Sequence, residues 1–279
     1  MSATAVRRGG AVVTGAGRGL GLEIARLLAG RGYAVHVTDL DADAAAQAAV
    51  QLGRRAFSSG LDVRDEHACH EIATTTAERA GSLEVWVNNA GVLVTGPAWE
   101  QPSEVRRLML EVNALGTING TLAALERMRA AGEGHVVNVV SLAGIVAAPG
   151  ETVYGASKHA AIAFSIGTLA DLRLAGIRDV HISCLCPDGI WTPMLYDKLD
   201  DPAAAASFTG VLLAPAEVAS HVGRLLDHPR PVLTVPRWRG AMMRAFDATP
   251  RLAMLGVGPV LAYGRWQQRR IKRRLARGG

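Results

Sequence analysis

The chain has 279 residues, 49% of them hydrophobic, 20% charged and 5% aromatic, with a formal charge of +5 and three cysteines. That length builds one large α/β domain or two small ones with a full core; the apolar fraction excludes a disordered chain, and so few cysteines exclude a disulfide-built scaffold. The charge is unevenly placed: residues 237–279 hold 11 of the 30 Lys and Arg against one acid, Asp247, so that segment carries +10 and residues 1–236 carry −5.

Seven β-type runs follow one another, at 11–14, 34–38, 55–58, 84–88, 135–141, 180–186 and 232–235. Most are near-continuous Val, Ile and Leu, the pattern of strands covered on both faces. Helical patterns lie between them, near 19–31, 42–52, 65–80, 103–131, 154–175 and 215–227. Asp65 and Ser103 suit N-caps and Pro215 a first helical turn. Strand–helix alternation of this kind predicts an α/β fold, a doubly wound parallel seven-stranded sheet with helices on both faces. Residues 1–236 read as one domain and 237–279 as a C-terminal extension.

Arg7-Arg8 precedes an apolar run that stops at Thr14-Gly15, too short for a secretory signal. No run approaches 18 uncharged apolar residues, so no membrane span is expected. Cys184 and Cys186 share one face of a strand and read as buried free thiols. A cytoplasmic, reducing location is the expectation.

The first strand runs into Gly15-Ala16-Gly17-Arg18-Gly19-Leu20-Gly21, which opens the first helix. Glycines there permit a tight turn and close approach of a pyrophosphate to the helix N-terminus. Asp39 ends the second strand, 18 residues beyond Gly21, where a carboxylate accepts from an adenosine ribose hydroxyl and repels a 2′-phosphate. Leu40 rather than a basic residue follows it, so NAD is favoured over NADP, although Arg18 in the turn pulls the other way. The competing reading of Asp39 is a helix N-cap.

Tyr154 and Lys158 stand four apart on one helical face. An ammonium at that distance favours the phenolate and lowers a tyrosine pKa. Lysine is scarce, with only Lys158, Lys198 and Lys272 beside 27 arginines. Ser141 ends the strand before this helix, and Asn88-Asn89-Ala90-Gly91 ends the one before that. Glycine turn, carboxylate, Asn-Asn-Ala-Gly, Ser and Tyr-x-x-x-Lys in this order resemble the short-chain dehydrogenase/reductase family over about residues 10–236.

The resemblance implies a Rossmann-type fold and a hydride-transferring oxidoreductase, commonly a dimer or tetramer built on the helices at 103–131 and 154–175. It makes Tyr154 the general acid/base, Lys158 its modulator and a ligand of the nicotinamide ribose, and Ser141 the donor to the substrate oxygen. Asn113 would hold a relay water, Asp62 and Val63 would bracket the adenine, and Asn89, Ala90 and Gly91 would line the ribose and nicotinamide. Pro187, Ile190 and Thr192 match the segment that anchors the carboxamide. Asp188 departs from the family pattern by replacing a glycine, and its choice between substrate contact and turn closure stays open.

Residues 188–214 occupy the place of the family's substrate loop, and Trp191, Met194 and Leu195 are its candidate substrate contacts. With Lys198 its only cation, the loop suits a small apolar alcohol or ketone. His67, Cys69 and His70 lack further partners at ligand spacing, so no metal is expected. Asn119-Gly120-Thr121 is a formal glycosylation sequon placed inside a helix. The basic extension interleaves arginines with Trp238, Phe246, Tyr263 and Trp266. It suits packing on its own body or a second copy, and next peripheral attachment to an anionic membrane; nucleic acid is not expected. The enzymatic alternative is an NADP-linked carbonyl reductase, and the non-enzymatic one a cofactor-binding regulator without turnover.

Overall fold

A computed structural model describes residues 8–278. Arg7 and the terminal Gly279 lie outside the described residues.

The elements in chain order are β1 (Gly10–Thr14), α1 (Gly19–Gly30), β2 (Ala34–Asp39), α2 (Ala42–Leu52), β3 (Ala56–Gly60), α3 (Glu66–Ala80), β4 (Leu83–Asn88), α4 (Ser103–Leu110), α5 (Gly116–Ala131), β5 (Gly134–Val139), α6 (Thr152–Leu174), β6 (Val180–Pro187), α7 (Pro193–Tyr196), α8 (Pro215–Asp227), β7 (Val232–Val235), α9 (Arg237–Ala248) and α10 (Pro250–Gly278). The strands pair in parallel in the order β3-β2-β1-β4-β5-β6-β7. The order reverses between β1 and β4, so a crevice opens there at the carboxyl ends of the strands.

The continuous apolar runs have a simple cause. Successive side chains alternate across the sheet, and both faces are roofed by helices. Ala11, Val13, Val85 and Val87 pack under α1 and α8 with Ile24, Leu28 and Val222. Val12, Trp86, Val136 and Ile182 pack on the other face with Cys69, Ile72 and Met128 of α3 and α5. Cys184 and Cys186 are buried in β6 with Val140 and Leu142, and burial pushes the Cys184 thiol up to about 11.

Three details depart from the sequence reading. Asp65 caps α3 through Ala68 N at 3.0 Å, but Pro102 holds the N-cap position of α4, which makes Ser103 its first helical residue. The helix expected over 103–131 is interrupted by a π-helical turn at Glu111–Leu115, where Asn113 sits. Ser103–Ala131 is also long and apolar enough to cross a bilayer by composition, contrary to expectation, yet most of its apolar stretch is buried against the sheet and α3. The C-terminal extension forms α9 and the long α10, and α10 packs on the 3-10 turn Pro202–Phe208.

Candidate active site

The crevice is a cavity of about 1190 Å³. Its nucleotide end is built from the β1–α1 turn. Gly15 holds a φ of +60° and lies against Ala90, whose Cα would be 2.8 Å from a Cβ added there. A Cβ on Gly21 would run into the Gly15 carbonyl oxygen. Asn89 reinforces the turn by donating its amide to the carbonyls of Thr14 at 3.0 Å and Gly15 at 2.9 Å. Thr14 Oγ1 accepts from Asn89 N and Ala90 N, both at 3.0 Å, so the ends of β1 and β4 are locked together. No acid occupies the first turn of α1, and Arg18 at its N-cap makes no side-chain bond to its amides. Arg18, Gly19 and Leu20 line the cavity there.

Asp39 Oδ2 accepts from Gly17 N at 2.9 Å, which fixes the carboxylate at the rim of the glycine turn. The cap of α2 is Asp41, bonded to Asp43 N and Ala44 N at 3.1 Å, so capping is not what Asp39 does. Leu40 beside it is 74% exposed and lines the same end. Asp62 lines it too, but its carboxylate is paired with Arg64, with Nε at 2.9 Å and the terminal guanidinium nitrogen at 2.6 Å. That bond holds the Asp62 carboxyl below the usual carboxylate range. Val63 is buried, and its carbonyl accepts from Asn119 at 3.0 Å, which makes the sequon asparagine an interior strut.

At the centre stand Ser141, Tyr154 and Lys158. Ser141 follows β5, and its Oγ accepts from Ala143 N at 3.1 Å. Tyr154 and Lys158 rise from the first turns of α6 and are buried. Lys158 Nζ donates to Val139 O at 3.2 Å and lies 5.7 Å from the Tyr154 ring centre. Lys158 is not among the groups that lower the Tyr154 phenol in this state. Burial pushes Tyr154 above its ordinary value and Glu151 adds to the rise, while Ser141 pulls it back through a hydrogen bond. Burial also lowers Lys158 to about 8, because desolvation opposes the charged form of both groups.

Asn113 does not offer a free amide for a relay. Its Nδ2 donates to Val92 O at 2.9 Å and to Ser157 Oγ at 3.0 Å, and its Oδ1 accepts from Val92 N at 2.8 Å. Its carbonyl accepts from Thr117 Oγ1 at 2.8 Å. The residue therefore ties the π-helical turn, the segment following Gly91 and α6 into one frame. Gly91 lets that segment pass close to both groups: a Cβ there would sit 3.1 Å from Asn113 Oδ1 and 3.6 Å from Lys158 Nζ.

The substrate end begins after β6. Pro187, Ile190 and Thr192 line the cavity, with Ile190 bridged to Leu213 and Thr192 at the N-cap of α7. Met194 and Leu195 line it too. Trp191 does not: its ring sits 5.6 Å from Tyr196 and packs into a cluster with Phe208 and Ile271, because a large ring gains more by burial under the loop than at the cavity wall.

Asp188 acts as a turn closer and an ion-pair partner. It accepts from Gly189 N, from Val211 N at 3.1 Å and from Arg239 Nε at 2.9 Å. No non-glycine residue among those described has a positive φ, so the substitution for glycine costs no backbone strain. Two features escaped the sequence reading. Glu151 is 2% exposed, lines the cavity three residues before Tyr154, and accepts from Ser207 N at 3.2 Å and Ser207 Oγ at 2.6 Å. Its position one helical turn before Tyr154 was the available signal. The other is the far wall, made by Met242, Met243 and Phe246 of α9 and by Gly256, Val257 and Leu261 of α10.

The family model for short chain dehydrogenases matches residues 10–203. A 1-deoxy-11-beta-hydroxypentalenate dehydrogenase of Streptomyces exfoliatus is 35% identical over 226 residues, covering 79% of this chain and 80% of that protein. A cyclopentanol dehydrogenase of Comamonas testosteroni is 34% identical over 219 residues, covering 76% of this chain and 86% of that protein. A solved short-chain dehydrogenase/reductase from Burkholderia phymatum, in complex with NAD, superposes with a TM-score of 0.80 at 25% identity, over 90% of this chain and 97% of that one. A strand order that reverses at the glycine turn, a Ser-Tyr-Lys centre beyond it and these likenesses along most of its length have one reading: the chain belongs to the short-chain dehydrogenase family of oxidoreductases.

Proposed function

We propose that this chain is an NAD-dependent dehydrogenase that interconverts an apolar, ring-bearing secondary alcohol and its ketone. The observation that carries the reading is the composition of the cavity, in which aliphatic walls from α7, α9 and α10 converge on Ser141 and Tyr154. Arg239, a guanidinium in that wall, is neutralised by Asp188, so the site favours a neutral substrate. The cyclopentanol dehydrogenase relative is named for a ring alcohol, which supports the same class.

The residues fit a dinucleotide. At Gly19 the turn faces open space, where an added Cβ would meet only Thr192 at 3.7 Å, Arg18 leaves the α1 amides without a side-chain cap, and Asp39 stands where a ribose hydroxyl would donate to it. Its charge disfavours a 2′-phosphate, and the Burkholderia neighbour was solved with NAD. Gly15, Gly19 and Asp39 would hold the adenosine half; Asn89, Ala90 and Gly91, with Lys158, Ile190 and Thr192, would hold the nicotinamide half.

When bound, the nicotinamide supplies the two-electron acceptor or donor. Tyr154 Oη holds the transferable proton. At neutral pH its raised pKa keeps the phenol protonated, ready to give that proton to a substrate oxygen. Ser141 Oγ donates to the same oxygen and stabilises negative charge as it develops there. Lys158, still mostly protonated at pH 7, opposes the desolvation cost when Tyr154 is the phenolate required for oxidation. The apolar walls exclude water and strengthen each of these interactions.

We propose a homo-oligomer as well, since Leu115 and Leu122 of the 103–131 segment and Ile166 of α6 are exposed on the helices that would meet. Titration with NADH and NADPH by nicotinamide fluorescence, followed by a panel of cyclic alcohols and polar sugars, tests the main reading. Tighter NADPH binding, or a preference for small sugars, overturns it.

A further inference from the structure

Most of α10 has two faces of different character. One packs inward: Val257 lines the cavity, Gly264 lies so close to Ala205 O that a Cβ would collide with it, Gln268 donates to Lys198 O and Asp201 O at 3.1 and 2.7 Å, and Ile271 joins the Phe208 cluster. The opposite face is exposed and periodic. Leu252, Leu255, Pro259, Tyr263 and Trp266 recur at spacings of three and four, and the same stripe continues as Arg270, Arg273 and Arg277. Such a repeat keeps one line along a helix for about 38 Å.

The apolar part of that line is not lightly exposed. Leu252 is 67%, Leu255 79% and Trp266 51% accessible. Tyr263 and Trp266 stack at 5.7 Å, and Arg270 lies 5.3 Å from the Trp266 ring. Beyond Asp247 the sequence holds eight basic residues and no acid. Among the described residues, the single ion pair from this stretch joins Lys272 to Asp200.

We propose that the outer face of α10 docks on an anionic lipid bilayer, with Leu252, Leu255, Tyr263 and Trp266 entering the interface and the arginines after them meeting headgroup phosphates. Three observations select this occupant. Aliphatic side chains beside aromatic ones gain by burial in acyl chains, whereas a nucleic acid rewards aromatic stacking with a cationic groove. A symmetric pairing with a second copy would set two acid-free, multiply charged faces against each other. The body at −5 is repelled by the surface that attracts the extension, which orients the molecule on one face. Leu252, Pro259 and Tyr263 also border the cavity, so the docked face adjoins its mouth. Docking of this kind holds whatever the substrate is.

The test is sedimentation of the full-length protein with vesicles of phosphatidylcholine alone or mixed with phosphatidylglycerol, at low and high salt. Binding is expected to be at least about tenfold stronger to the anionic vesicles and to weaken with salt. The triple substitution Arg270→Gln, Arg273→Gln, Arg277→Gln should weaken it about hundredfold, at roughly fivefold per cation. Leu255→Ser with Trp266→Ser should weaken it at least about tenfold. Both variants should melt with wild type, since every changed side chain is exposed, and the arginine variant should turn over a water-soluble alcohol as wild type does. The proposal is overturned if neither vesicle is bound, if both are bound equally, or if the arginine variant binds like wild type. Preference for a short DNA duplex over the anionic vesicles, or salt-sensitive self-association in place of vesicle binding, overturns it too.

Discussion

Asp188 and Arg239 form a buried ion pair at 2.9 Å, with side-chain exposures of 7% and 8%, which ties the loop after β6 to α9 of the extension. Arg239 also donates to Thr209 Oγ1 at 3.3 Å, so one guanidinium holds both ends of the substrate loop. Removing one partner leaves a buried charge, at a cost of about 3–5 kcal/mol. Arg239→Met is expected to lower the unfolding free energy by that order in urea titrations. Asp188→Leu combined with Arg239→Met should recover part of it, because a buried pair is replaced rather than broken.

Tyr154→Phe keeps the ring and loses the proton carrier. Turnover should fall by at least about hundredfold, with the melting temperature close to wild type and NAD binding retained. Steady-state kinetics with a cyclic alcohol, beside a cofactor titration, separates the two effects. Full activity in this variant would refute the mechanism.

Asp39→Ser removes a carboxylate already held by Gly17 N at the rim of the glycine turn. Two like charges about 4 Å apart repel by up to about 4 kcal/mol at a partly solvated site. The KM for NADP should therefore drop by at least about tenfold while that for NAD rises, a change read directly from the ratio of kcat/KM for the two cofactors.

Glu151 sets a pH dependence of stability. Burial raises its pKa from 4.5 to about 7, with Ser207 opposing the rise. The folded state thus keeps a proton that the unfolded chain releases near 4.5. The group's contribution is full below about pH 4.5 and is lost as pH rises through about 7, on the order of 3 kcal/mol. Glu151→Gln should flatten urea midpoints across that window.

Two histidines act in the opposite sense. His36 lies between Thr76 Oγ1 at 2.8 Å and Ser59 Oγ at 2.9 Å, and burial lowers it to about 4. Burial lowers His135, 2.8 Å from Ser183 Oγ, to about 3. Both must stay neutral in the fold, so their contribution is full above about pH 6.5 and is lost as pH falls toward those values, several kcal/mol in sum. Replacing both with glutamine should move the acid unfolding midpoint to lower pH.

The sheet, the glycine turn and the Ser-Tyr-Lys motifs are legible in the amino-acid order, because each rests on local pattern. Continuous Val and Leu runs between helices leave a parallel sheet with both faces covered as the stable packing, and motifs at strand ends must then converge on one edge. Tertiary structure alone decided what depends on partners distant in sequence. Asp188 could not be assigned before Arg239, 51 residues away, was placed against it. Trp191 looked like a substrate contact until Ile271 and Phe208 gave it a drier place to pack. The pKa of Tyr154 followed burial rather than the lysine four residues on, since desolvation is a property of the whole surrounding packing. The extension's charge was legible at once. That its inner face packs on the body and its outer face stays exposed required the chain to fold, because a helix acquires an inside only from what it packs against.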